Sequence, residues 1–81
     1  MATQKNYKQL LAVYVSLLEV TQQMVQETKM IGSLDQITSV AGFARDILKT
    51  ATTLHTKLLQ WQEWDEAERI GEAIANVRAE I

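Results

Sequence analysis

Proline and cysteine are both missing from the 81 residues, and glycine occurs only three times, as Gly32, Gly42 and Gly71. Without proline nothing interrupts a helix outright, and three glycines leave room for few turns. Without cysteine, disulfides and thiolate metal sites are excluded, which suits a reducing, cytoplasmic setting. A strong charge of one sign is also lacking. The net charge is −2, with a balance of +2 over residues 1–62 and −4 over residues 63–81. Neither part carries the dense basic stripe that binding to a phosphate backbone requires, so nucleic acid is not expected as a partner. Long hydrophobic runs are missing too. The longest, Leu10–Leu18, follows Lys5 and Lys8 as the apolar part of a secretion signal would. It falls far short of the ~20 residues that cross a bilayer, no small-x-small cleavage pattern follows it, and the helical period runs through it. It is expected to be a core helix, with no membrane contact.

Apolar residues in helical register are abundant. With 47 % hydrophobic residues the chain can bury a core, and at this length it forms one domain, residues 1–81. In the first segment Tyr7, Leu10, Leu11, Tyr14, Leu17, Leu18, Thr21, Met24, Val25, Thr28 and Ile31 recur at three- and four-residue steps. Val13, Val15 and Val20 lie beyond that stripe and widen it. Gly32 is expected to end this helix in the left-handed conformation. Ser33 and Gln36 then have the spacing of a capping box, so a very short turn should make the next helix an antiparallel neighbour.

The second stripe is Leu34, Ile37, Val40, Ala41, Ala44, Ile47, Leu48, Ala51, Leu54, Leu58 and Trp61. Ala41, Gly42 and Ala44 make one stretch narrow enough for close approach of a neighbouring helix. The third helix is expected to begin with Asp65 as cap and Glu68 at the third position, and its stripe is Ala67, Ile70, Ile74, Val77 and Ile81. The pattern predicts an all-α, three-helix antiparallel bundle with helices over about 5–31, 34–61 and 65–80, dimerising into a larger helical bundle. One boundary has no ordinary turn signal. Gln60–Glu63 contains neither glycine nor proline, and without a turn there helices two and three would be a single rod in need of a partner.

No reactive constellation stands out, so no catalytic residue, metal ligand or cofactor is assigned. His55 is the single histidine and lacks a Glu at the position three before it, where a helical metal pair would place one. Serines 16, 33 and 39 sit in no nucleophile elbow, and no phosphate-binding glycine loop exists. Glu63, Asp65, Glu66 and Glu68 do not have the spacing of a calcium loop and suit the positive end of a helix.

The tryptophans are more informative. Trp61 and Trp64 flank the second corner at i, i+3 spacing, where one ring can plug the bundle end and the other can meet a partner. The stretch Leu58-Leu59-Gln60-Trp61-Gln62-Glu63-Trp64-Asp65-Glu66-Ala67 resembles the hairpin corner of tetratricopeptide-type helices and that of flagellar export chaperones. Those chaperones are small helical proteins that hold an export substrate against an apolar helical groove, which is what the resemblance implies here. It covers ten residues of 81, both families usually carry Gly where this chain has Gln62, and no second 34-residue repeat is present. Membership in either family is not assigned on it.

These features point to a small non-enzymatic interaction module of adaptor, chaperone or inhibitor type, whose partner is a second copy or another protein. The candidate contact residues are Trp61, Trp64, Val13, Val15 and Val20. A DNA-associated regulator using Arg45, Lys49 and Lys57 is one alternative. A helical bundle that binds a small molecule is the other.

Overall fold

The computed structural model describes the backbone from Ala2 to Ile81 and the side chains from Tyr7 onward. Three helices follow one another: α1 (Ala2–Ile31), α2 (Leu34–Gln60) and α3 (Trp64–Glu80), and every pair is in contact. They run up, down and up, in a bundle 47 Å long. The three-helix architecture expected from periodicity is therefore the one observed.

The first corner has the expected cap and an unexpected glycine. The Gln36 backbone N–H donates to the Ser33 hydroxyl at 3.3 Å, and the Ser33 N–H donates to the Gln36 side-chain oxygen at 2.9 Å. This is a complete capping box. Gly32, however, is not left-handed, since no glycine in the described chain has a positive φ. Its N–H continues the helix by donating to the Thr28 carbonyl at 2.7 Å. Glycine is needed there for space: a Cβ would lie 2.6 Å from that carbonyl oxygen.

The left-handed residue is in the second corner. Gln62 has φ 61°. The Gln62 N–H donates to the Leu59 carbonyl and the Glu63 N–H to the Leu58 carbonyl, the paired bonds of a Schellman motif. A turn therefore does separate helices two and three, built on glutamine at a position that ordinarily takes glycine. α3 starts one residue earlier than expected. Glu63 occupies the cap position without a side-chain cap bond, and Asp65 and Glu66 fall in the first turn. They lie where the helix dipole favours carboxylates.

The core joins Tyr7, Leu11, Val15, Leu18 and Val25 of α1 with Ala44, Leu48, Ala51, Leu54 and Leu58 of α2. Ala67, Ile70, Ala73, Ile74 and Val77 of α3 complete it. Thr21 is the one buried polar residue of the described set, and its hydroxyl is satisfied by the Leu17 carbonyl one turn back. At the far end of α3, Glu80 bonds Gln26 at 3.1 Å and pairs with Lys29 at 3.7 Å. α3 thus spans α1 from about Tyr7 to Lys29. Beyond it the α1–α2 tip overhangs, with Met30, Ile31 and Leu34 exposed.

Candidate interaction face

α1 is apolar on two sides, and α3 covers only one of them. The side facing inward carries Tyr7, Leu11, Val15, Leu18, Thr21 and Val25. The other side carries Leu10, Val13, Leu17, Val20, Met24 and Ile31, with Glu27 completing the row. Its steps are three and four residues in strict alternation, the spacing that keeps a row on one side of a helix as a coiled-coil seam. Leu10, Val13 and Val20 are 47, 59 and 52 % exposed, Met24 and Ile31 are exposed, and Leu17 is half-buried.

A matching row runs along α2: Gln36, Val40, Phe43, Ile47, Thr50, Leu54 and Lys57, again in alternating steps of four and three. Gln36 and Val40 share a groove with Glu27, Thr28 and Ile31, which places this row on the flank of α2 that meets α1. Val40 and Ile47 pack against the core, Leu54 is inside it, and Phe43 is exposed. The two rows make one face, two helices wide, on the side of the bundle away from α3. Its α1 half is apolar along most of its length, whereas on α2 Phe43 is the one exposed apolar side chain of the row, beside the exposed Gln36, Thr50 and Lys57; each row has one charge, Glu27 and Lys57.

The expected contact residues therefore divide. Val13 and Val20 belong to this face. Val15 does not: at 5 % exposed it is a core residue of the inner stripe, turned there because α3 approaches that side of α1. Leu10, Leu17 and Met24, which the first stripe grouped with the core, lie on the outer row. The narrow strip divides as well. Ala44 is fully buried, whereas a Cβ on Gly42 would meet nothing within 4 Å, so no backbone approaches at that glycine. The close approach occurs at Gly71, where a Cβ would lie 3.3 Å from the His55 ring. Sequence reasoning had no role for Gly71, and its place opposite a bulky α2 side chain is visible only once the helices are paired.

Comparison with family models, with curated proteins and with solved structures finds no match.

At the second corner Trp61 is half-buried, with its ring centroid 5.9 Å from that of Tyr7 at an interplanar angle of 50°. Trp64 stays 61 % exposed. Tyr7 holds its proton more tightly than an ordinary phenol. Burial is the largest cause, followed by a hydrogen bond with Glu63 and the negative charges of Glu63 and Glu66. The corner is closed by an aromatic pair and bordered by carboxylates, and Trp64 is a lone ring outside it.

The basic side chains do not converge. Arg45 and Lys49 border an open groove between α2 and α3, of about 560 Å³, together with Thr52, Thr53 and Arg78. Lys57 lies on the α1 flank of α2, roughly 120° round the helix from Arg45. Arg78, which donates to the Thr52 hydroxyl at 3.4 Å, is the cation that accompanies Arg45 and Lys49. Among the described residues no group of three His, Cys, Asp or Glu gathers as a metal site, and no helix is long and apolar enough to cross a membrane.

Proposed function

We propose that this chain is a small protein–protein interaction module that works by helix-on-helix contact through the α1–α2 face. The observation that carries the reading is the outer row of α1. It is a seam in coiled-coil spacing, lying on the outside of a bundle whose core is already filled by other residues of the same helix. Isolated exposed apolar residues are ordinary. A continuous row of them, extended by Phe43 on the neighbouring helix, is a surface that water leaves readily when a partner helix lies along it. Adaptor, chaperone and inhibitor roles all use such a face. Binding rather than catalysis fits the same residues, because the groups on the face that could exchange a proton or attack a bond, Glu27, Thr50 and Lys57, stand apart along the two rows. The lack of cysteine fits a reducing, cytoplasmic compartment.

The reading is tested by placing a photoreactive side chain singly at Val13, Val20 or Phe43, and at Glu72 on the exposed side of α3 as control. Irradiation in cells should give discrete protein adducts from the first three positions and none from Glu72. Equal labelling from all four, or no adduct from any, would discard the α1–α2 face as a binding surface.

A further inference from the structure

Resting on that reading, we infer that the occupant of the α1–α2 face is a second copy of this chain, docked antiparallel with the dimer two-fold at Leu17. Three features select it. The first is the row itself. About Leu17 the apolar stretch Leu10, Val13, Leu17, Val20, Met24 places Leu10 and Met24 seven residues away on either side, and Val13 and Val20 at four and three residues, so it matches its own reverse to within one residue, about 1.5 Å along the helix. Turned end for end on itself, it sets Leu17 against Leu17, Val13 against Val20 and Leu10 against Met24. A two-fold interface needs such self-complementarity, since each patch must fit its own copy. Large residues at both outer levels and valines between them give facing layers of similar total volume.

The second feature is charge. Glu27 is the only charged residue of the α1 row and Lys57 the only one of the α2 row. Within one chain they are at opposite ends, because α1 and α2 are antiparallel and meet near Thr28 and Val40 at one end and near Tyr7 and Trp61 at the other. Reversing a second copy about Leu17 brings Lys57 of the partner subunit to within about one helical turn of the level of Glu27. Both symmetry-related pairs then bring opposite charges to similar levels on diagonally placed helices, since α2 of the second copy lies over α2. A parallel side-by-side pairing of the α1 rows would instead set Glu27 against the partner's Glu27. Asp46 lies one position off the α2 row and is exposed, so it remains wetted at the rim.

The third feature is size. A face two helices wide and as long as Leu10–Ile31 has a footprint on the order of 600 Å², comparable with the ~800 Å² of accessible surface that each partner hides in a standard stable interface. The product is a four-helix layer pair of α1 and α2 from each copy, with the two α3 helices on the outside. Leu17, half-buried in one chain, becomes the central residue of the joint core.

Because the chain has no cysteine, single-cysteine variants report the arrangement directly. Sedimentation equilibrium from 1 to 200 µM should find the 9.2 kDa chain passing from monomer to dimer as concentration rises. Leu17→Cys should cross-link to itself with a short bis-maleimide. Ile31→Cys should not, because fourteen residues on either side of the axis place the two thiols about 42 Å apart. Glu27→Lys alone or Lys57→Glu alone should weaken dimerisation about tenfold, and the two together should restore it to within about twofold. Self-linking of Ile31→Cys, or no rescue in the double variant, overturns the antiparallel register. A monomer at 200 µM overturns the second copy as occupant. In that case photoadducts of higher mass from Val13 and Val20 would leave the interaction reading standing, and their absence would remove that as well.

Discussion

The two sides of α1 are built from the same residue types at the same helical steps, yet one is a core and the other a surface. Leu11, Val15, Leu18 and Val25 disappear under α2 and α3, while Leu10, Val13, Val20 and Met24 stay exposed. Hydrophobicity does not distinguish the sets. What does is where α3 lies, and that depends on the corner at Gln62. A helix that is apolar over more than half its circumference normally belongs at the centre of a larger assembly, and in this chain only one side of α1 has neighbours. The contrast separates stability from association. The inner row holds the monomer together, and the outer row is free to hold something else.

The widest test of that contrast is a truncation on the inner row. Leu18 is fully buried, and Leu18→Ala removes three carbons from a site with contacts on all sides. It should cost about 3 kcal/mol, a large part of the stability of so small a domain. Urea unfolding followed by circular dichroism measures it. A loss below 1 kcal/mol would mean that the inner row is not the tight side.

The corner that decides which side is covered offers the next largest effect, in the opposite direction. Gln62 pays the steric cost of a left-handed backbone, where its Cβ crowds the carbonyl that follows. Gln62→Gly removes that strain and keeps both Schellman bonds, so it should stabilise the bundle by about 1 kcal/mol. An unchanged or lowered urea midpoint would show that Gln62 is not strained at this φ.

Tyr7 gives a smaller effect confined to alkaline pH. Its folded-state pKa is raised above the ordinary 10.0 by burial first, and then by Glu63 and Glu66. The sign follows from linkage. The folded state retains the phenol proton more tightly than the unfolded chain does. The contribution is therefore fully present below pH 10, and it is lost as pH rises from 10 through the folded-state value. Stability should fall over that range in the parent chain, and Tyr7→Phe should flatten the fall. Parallel pH profiles for the two proteins would rule out Tyr7 as the source.

Much of this was legible from residue order. Ser33 and Gln36 specify the first corner because a capping box is a local object, and the period of three and four places three helices correctly. The division of α1 into an inner and an outer row was not legible. Val13, Val15 and Val20 look alike in the sequence, and only the approach of α3 turns Val15 inward. Leu10, Leu17 and Met24 join the inner stripe on paper because each adjoins it by a step of one, three or four residues. The second corner was hidden for a related reason. A left-handed position filled by glutamine has no composition signal, although the glycine usual there in similar corners marks the place. Gly32 misled in the other direction: it is required by a crowded carbonyl rather than by a positive φ.

The smallest expected change in stability belongs to the outer row, and it separates the two sides most cleanly. Val20 is 52 % exposed and points away from the core, so Val20→Lys in the isolated chain should shift the unfolding free energy by less than about 0.5 kcal/mol. Lysine is, if anything, the better helix former. At high concentration the outcome differs. If a second copy covers the row, the parent chain gains stability with concentration through mass action, and its melting temperature rises as the sample is concentrated. A lysine facing Val13 of the partner copy in the joint core removes that gain. The variant's melting temperature should therefore be the same at 2 and 200 µM, and should match the parent's at the lower concentration. A variant that already melts well below the parent at 2 µM would place Val20 within the monomer's own core and erase the distinction between the two sides of α1.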